Sequence, residues 1–212
     1  MTAEINRFSP DFIVLTGDIL DYKDTELGTI LELFKSIRRL DKDIYFVHGN
    51  HETNHMLYDD LRAEIEKSGI IILENSSRTI KVNDEKVNLM GLNFSPKSRV
   101  CEENKNHQEF IQDLNLDYYN ILLMHSPNNV ESILSGKEDL ILSGHTHGGQ
   151  FRLPLIGAIV APGQGFFPNY DKGIFKIYDA NLYIDSGLGN SVAPIRAFNP
   201  VQFSNITIEP RK

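Results

Sequence analysis

The chain has 212 residues, a net charge of −8 from 29 acids and 21 bases, and 41% hydrophobic residues. That fits one sizeable soluble domain and excludes a disordered, collagenous or coiled-coil chain. No apolar run approaches the ~20 residues of a membrane helix, Met1 to Pro10 lacks an apolar signal core, and the single cysteine, Cys101, excludes an intrachain disulfide. The acidic balance argues against a groove that tracks nucleic-acid phosphates, although a bound metal would reset the local field for a phosphate substrate.

In chain order, strand-like and helix-like segments alternate. Phe12 to Leu15 is a short apolar run ending at Thr16-Gly17-Asp18, and Ile44 to Val47 ends at His48-Gly49-Asn50-His51. Ile121 to Met124 ends at His125-Ser126-Pro127, and Leu140 to Leu142 ends at Ser143-Gly144-His145. Short continuous apolar runs closed by glycine read as strands buried on both faces. Thr25 to Leu40 carries Leu27, Ile30, Leu31, Phe34, Ile37 and Leu40 at helical spacing, and Thr53 to Ser68 repeats this with Leu57, Leu61 and Ile65. Gly69 suits a C-terminal cap. Ile70 to Leu73, Thr79 to Val82 and Val87 to Leu92 read as strands, the last two joined by a turn at Asn83-Asp84-Glu85. Gly173 to Ile184 and Val201 to Ile208 also read as strand. The sum is an α/β protein with antiparallel pieces and two sheets flanked by helices.

Four apolar strands run straight into ligand-type residues, and α/β sheets bind ligands beyond the carboxyl ends of their strands. Asp18, Asn50, His51, His125, His145 and His147 can therefore converge. Asp18 offers a carboxylate that can bridge two cations, Asn50 a carbonyl oxygen, and the histidines imidazoles suited to zinc, manganese, iron or nickel. Plainer readings stand beside these. Asp18 and Asn50 are also turn formers, and His125 fits a satisfied histidine at a strand end. His145 and His147 alternate as on an extended segment, which suits two metals or one buried and one exposed imidazole. His48 reads as packing at a strand end, His55, four residues after His51, as approaching substrate or as lying on a solvated helix face, and His107 carries no assignment. Asn128 and Asn129 read as the start of a helix.

The blocks Gly17-Asp18-Ile19-Leu20-Asp21, Gly49-Asn50-His51-Glu52, His125 and Gly144-His145-Thr146-His147-Gly148-Gly149-Gln150 resemble those of the calcineurin-like metallophosphoesterases in order and spacing. The Gly-Gly-Gln ending, with Ser186-Gly187-Leu188-Gly189-Asn190-Ser191 and Pro194-Ile195-Arg196, is similar to the bacterial membrane-associated phosphohydrolase branch. The resemblance covers nearly the whole chain, taken as a single domain over residues 1–212. It implies a four-layer α/β/β/α sandwich with a two-metal site. Asp18 would bridge the metals, Asn50, His125 and His145 would complete one, and His147 would serve the other. A metal-activated hydroxide would cleave a phosphomonoester or phosphodiester while His51 protonates the leaving oxygen. Glu52 stands where many relatives have Asp and would orient an imidazole. Asp21 would fix a loop or support the ligands.

The family opens on a strand ending in Asp-x-His, which supplies two ligands to the metal that His147 serves, and no Asp-x-His occurs in this chain. Met1 to Phe8 reads as the helix that follows that strand, so the first strand is expected to be missing and the domain N-terminally truncated. A fragment, a mis-assigned start and a natural loss all fit. Two metals are expected in the full-length protein and one here. The alternative is a catalytically impaired single-metal or scaffold protein. Expected partners are a phosphoester substrate, lipid-linked or nucleotide, and a membrane surface bound peripherally. The expected location is cytoplasmic or membrane-associated. Phe151 to Phe167, broken by Pro and Gly, reads as a loop packed on the sheet or as an apolar wall for a lipid-like or aromatic leaving group. Gly-x-Ser-x-Gly and Gly-x-Gly-x-x-Gly blocks are absent, which argues against an acyl hydrolase and a dinucleotide site.

Overall fold

The computed structural model describes residues 1–53, 55–94, 109, 111–112, 114–189 and 196–209. Cys101, His107, Asn190, Ser191, Pro194 and Ile195 lie outside the described residues.

Helix α1 (Thr2–Phe8) leads into β1 (Phe12–Leu15), followed by α2 (Gly28–Arg38), β2 (Asp43–Phe46), α3 (Tyr58–Lys67) and β3 (Ile71–Ile72). These three strands form a parallel sheet in the order β1-β2-β3, with Phe12 opposite Asp43 and Tyr45 opposite Ile71. Next come β4 (Ser76–Val82), β5 (Glu85–Leu92), β6 (Tyr119–Met124), the short helix α4 (Val130–Ile133) and β7 (Leu140–Ser143). Two small hairpins follow: β8 (Arg152–Leu153) with β9 (Gly157–Ala158), and β10 (Val160–Ala161) with β11 (Gly165–Phe166). The hairpin of β12 (Gly173–Ile177) and β13 (Ala180–Ile184) completes a six-stranded sheet ordered β12-β13-β7-β6-β5-β4. Within it β13, β7, β6 and β5 run parallel, and the two edge strands run antiparallel to their neighbours.

Strand alternation explains why the central runs are apolar throughout. In β2, Ile44 and Phe46 pack against Ile30, Phe34 and Ile37 of α2 and Leu61 and Ile65 of α3. Tyr45 and the following Val47 face the other way, onto Leu89, Ile121, Leu123, Leu140 and Leu142 of the larger sheet. The opposite face of that sheet, with Met90, Leu122, Met124, Ile141, Leu182 and Ile184, is covered by Val130 and Ile133 of α4. The layers are therefore α/β/β/α. Each fully buried Phe or Leu is worth about 2 kcal/mol of transfer free energy, so a sheet buried on both sides is the dominant stabilising feature. Gly91 lets the sheets approach closely: a Cβ there would lie 2.2 Å from Cβ of Leu73.

The sequence places β1, β2, β6, β7 and the β4–β5 turn within a residue or two of their observed bounds. Asn83 turns in the left-handed region, at φ 55°. Gly69 closes α3 as expected: its N–H donates to Glu66 O and that of Ile70 to Ile65 O, a Schellman ending sealed by the Ile65–Ile70 contact.

Three expectations are corrected. Helix α3 starts at Tyr58, not Thr53, because turns occupy the residues before it: His55 N–H bonds to Glu52 O, Tyr58 N–H to His55 O, and the His55 ring accepts the Leu57 N–H. Such side-chain bonds compete with the helical ladder. Residues 201–208 form no strand; β13 already has β12 and β7 on its two edges, and the tail is held by single bonds such as Gln202 N–H to Gly187 O. Phe151 to Phe167 is not a loop packed on the sheet. It folds into the two small hairpins and leaves Leu155, Ile156, Phe166 and Phe167 exposed. Among the described residues no helix is long and apolar enough to cross a membrane.

Candidate metal centre

Because β1 and β2 are parallel, and β6 and β7 are parallel, each sheet delivers two strand ends to one rim. The two rims are tied together. His125 Nδ1–H donates to Thr16 O at 2.7 Å, across the sheets, and Gly144 N–H donates to His125 O at 2.9 Å. Glycine permits the closeness: a Cβ on Gly17, at φ +88°, would lie 2.4 Å from the Gly49 nitrogen, and one on Gly49 would lie 2.1 Å from Asp18 Oδ1.

The Thr16 bond fixes the His125 tautomer and leaves Nε2 with its lone pair. That Nε2 faces Asp18 Oδ2 at 3.1 Å, Asn50 Oδ1 at 3.1 Å and His145 Nδ1 at 3.0 Å. The ligand atoms of Asp18, His125 and His145 all lie within 4.8 Å of one another. Four lone-pair donors thus converge on one point, which demands a positive charge there, either a proton on His125 or a metal ion. Oxygen and imidazole nitrogen in this mixture suit a divalent transition metal.

The electrostatics agree. Burial works against the Asp18 carboxylate, but His125 and the His51 N–H hold its pKa at about 2. Burial likewise works against a charged His125, yet the bond and charge of Asp18 outweigh it and raise its pKa. His145 is pushed down to about 3 by burial and by His125, so it stands as a neutral ligand.

Among the remaining site residues, Glu52 is wholly buried and does not use its carboxylate on an imidazole. Oε2 accepts the N–H groups of Asp18 (2.9 Å) and Gly49 (2.7 Å), and Oε1 those of Ile19 (2.7 Å) and Leu20 (3.1 Å). It clamps the β1 and β2 loops together. Burial and the Asp18 charge raise its pKa, against the pull of the N–H donors. Asp21 accepts the Lys23 N–H and its own N–H donates to Asp24, which fixes the loop after β1. His51 donates its backbone N–H to Asp18 Oδ1, carries its ring 3.9 Å from Asp18 Oδ2, and meets Tyr22 edge-on with ring centres 5.9 Å apart.

His145 and His147 do not alternate on an extended segment. Both sit in the left-handed region, at φ 64° and 51°, and residues 147–149 form a turn. His147 lies outside the three-residue cluster, although it feels the charges of Arg196, Asp18 and His125, and burial first of all pushes it down to about 4. Thr146, buried between the two histidines, donates to Asp171 O. His48 packs edge-on against Phe46 and Tyr58 and bonds Glu74, which is paired in turn with Arg62.

Beside the centre opens a cleft of about 650 Å³, lined by Tyr22, Lys23, Thr25, Asn50, His51, His55 and Met56. Sequence reasoning missed Thr16, whose contribution is a backbone carbonyl without side-chain signature, and Tyr22, Lys23 and Met56, whose role depends on two loops meeting. Of the two readings of His55, the helix face falls away: the helix begins after it, at Tyr58, and His55 lines the cleft. Arg196 donates to Ser186 O and Gly187 O and so braces a loop.

A family model described as calcineurin-like phosphoesterase matches residues 2–149. The Bacillus subtilis metallophosphoesterase YkuE is 26% identical over 208 residues, covering 97% of this chain and 70% of its own length. The Caenorhabditis elegans protein F40B5.2, named after the metallophosphoesterases, is 30% identical over 212 residues, and this chain spans 42% of its length. The phosphodiesterase YaeI of Escherichia coli is 26% identical over 188 residues, 85% of this chain and 64% of its own. Among solved structures, the sulfate thiohydrolase SoxB of Thermus thermophilus superposes with a TM-score of 0.53 at 13% identity, over 82% of this chain and 33% of that one, which establishes likeness of fold.

Proposed function

We propose a function from one premise, that the chain belongs to the calcineurin-like phosphoesterase family: it hydrolyses phosphoester bonds with a divalent cation held by Asp18, Asn50, His125 and His145. The observation that carries this reading is the convergence of Asp18 Oδ2, Asn50 Oδ1 and His145 Nδ1 on His125 Nε2. A bound cation supplies Lewis-acid polarisation of a phosphoryl oxygen and a nucleophile at neutral pH.

The chain's own residues do the rest. Thr16 O holds the proton of His125 on Nδ1, the tautomer that turns Nε2 toward the ligand cluster. Glu52 holds the Asp18 loop against the Asn50 loop, so that two ligands from different strands keep their spacing. His51, backed by Tyr22 and lining the cleft, donates a proton to the leaving oxygen, a contribution of about 10²- to 10⁴-fold. The cleft takes the leaving group. Manganese, iron, zinc and nickel all suit the donors. His147 serves a second cation where further ligands are provided.

Metal content by mass spectrometry, with turnover of p-nitrophenyl phosphate and bis(p-nitrophenyl) phosphate in manganese, tests the reading. About one cation per chain is expected, with turnover abolished in Asp18→Asn and strongly reduced in His51→Ala. A second reading, a single-metal or scaffold protein, is favoured by one observation: among the described residues one group of three acid and histidine ligands converges. Stoichiometric binding without turnover of either ester would establish that reading in place of the first.

A further inference from the structure

A second recess adjoins the centre and shares no lining residue with the cleft. Its volume is about 190 Å³, and His125 and His145 form part of its wall. Asn50 and His51 line the larger cleft. The ligand set thus has two recesses beside it, one past Asn50 and one past the histidines. A phosphomonoester carries one organic substituent and a phosphodiester two. The arrangement fits a diester, with its leaving group in the cleft and its retained substituent in the smaller cavity.

The cavity wall says what that substituent is. Phe94 lies against both histidines, with ring centres 5.8 Å from His125 and 6.0 Å from His145. Leu92, Met124 and Ile133 add further apolar surface, and among the described residues no Lys, Arg, Asp or Glu lines the cavity. Such a wall suits a neutral group with an apolar face.

Two side chains interrupt it. Asn93 and Asn128 both line the cavity, and their Oδ1 atoms are buried acceptors without a hydrogen-bond partner among the described residues. Asn128 Nδ2 donates to Pro162 O at 3.2 Å, and a Cβ on Gly163 would lie 2.2 Å from that nitrogen. The amide is therefore held with its nitrogen on the β10–β11 turn and its oxygen unspent. Asn93, just after β5, donates its backbone N–H to Asn75 Oδ1 at 2.9 Å, which fixes it at the strand end. An unpaired buried acceptor is costly, and folded proteins retain few. Two on the wall of one cavity call for donors from its occupant.

Hydroxyl groups are such donors. A nucleobase would bring ring nitrogens and carbonyls to a place where the unpartnered buried atoms are themselves acceptors. A cavity of ~150 Å³ takes a bare six-membered ring, so the somewhat larger space here takes one with hydroxyls. We propose that this cavity is a subsite for a neutral polyhydroxylated ring of one-sugar size, the retained substituent of a phosphodiester, whose hydroxyls donate to Asn93 Oδ1 and Asn128 Oδ1 while its C–H face lies on Phe94. The diester part rests on the hydrolytic reading above, and the test separates the two.

Calorimetry in manganese compares three phosphates: glucose 6-phosphate, the product such a diester would leave; cyclohexylmethyl phosphate, with the same ring size and no hydroxyls; and thymidine 5′-phosphate. Glucose 6-phosphate is expected to bind at least about tenfold more tightly than either of the others. That advantage should shrink toward unity in Asn93→Ala and in Asn128→Ala. The comparison within the unchanged chain stands even where a variant fails to fold. Equal or absent binding of the three would overturn the proposal and leave the two oxygens to water, and a preference for the thymidine ester would assign the cavity to a base instead. Turnover of bis(p-nitrophenyl) phosphate decides the hydrolytic reading by itself. A chain that cleaves that ester without preferring the hexose loses the subsite and keeps the hydrolase. One that prefers the hexose phosphate and cleaves no ester keeps the sugar site and loses the hydrolase.

Discussion

The metal centre and the lobe formed by the β8–β9 and β10–β11 hairpins adjoin at Gly149, where a Cβ would lie 2.1 Å from Ala158 Cβ, yet they solve opposite problems. At the centre, charged and polar groups are buried and held by specific bonds: Glu52 satisfies four N–H groups, Asp18 faces His125, and His125 is tied to Thr16. In the lobe, large apolar groups stand in water, and the backbone beneath two of them is in a disfavoured region. Buried polarity depends on each partner, so single changes there are expensive. Exposed apolarity has no partner within the chain, so changes there should cost folding nothing. The two regions therefore divide into one whose residues the fold depends on and one whose residues it merely displays.

The largest expected effect sharpens that division. Glu52→Gln turns one carboxylate oxygen into an NH₂ group, leaving two of the four N–H groups at positions 18, 19, 20 and 49 without an acceptor. At about 1–3 kcal/mol per orphaned buried donor, urea denaturation should find a loss of about 3 kcal/mol. A loss under about 0.5 kcal/mol would break the comparison.

Asp18→Asn keeps the shape and removes the charge. Manganese affinity by calorimetry should fall at least about 100-fold, with a smaller loss of stability than Glu52→Gln brings.

The pH dependence follows from the Asp18–His125 pair in the metal-free chain. Asp18 is depressed from 3.8 to about 2, so its contribution is present above 3.8 and lost as pH falls toward 2. His125 is raised above its ordinary 6.5, so its contribution is complete below 6.5 and lost as pH rises through the raised value. A metal ion replaces that proton. Affinity for manganese should therefore increase with pH over the range in which apo stability declines, with about one proton released per ion below the raised value. Urea melts in chelator and calorimetry in buffers of different ionisation enthalpy would show both trends.

The smallest effect belongs to the lobe. Leu155→Asn replaces an exposed leucine at φ 69° with a residue that tolerates that conformation. Stability should stay within about 0.5 kcal/mol or rise. A loss as large as a core leucine truncation, about 2–5 kcal/mol, would mean that Leu155 packs inside the fold and would remove the contrast.

Much of the fold was legible in the sequence, because a strand buried on both faces must be apolar throughout and must end where polar residues begin. Those ends place Asp18, Asn50, His51, His125 and His145 just beyond strand termini from the sequence alone. The sequence also carried the Gly69 cap and the turn at Asn83, which depend on local backbone preference. Other features depend on which loops meet. Glu52 clamps backbone where it was expected to orient an imidazole, because the N–H groups of residues 18 to 20 are buried against it. His145 and His147 lie in a left-handed turn, not on an extended segment, since the chain must reverse after β7 to begin the hairpins. Thr16 serves through a carbonyl that every residue possesses. Local chemistry and periodicity are written along one segment and can be read there. A hydrogen bond between residues 34 positions apart exists only once β1 and β2 have paired, and one between residues 109 apart only once the two sheets are packed, so the tertiary structure alone decided which side chains clamp, which ligate and which remain in water.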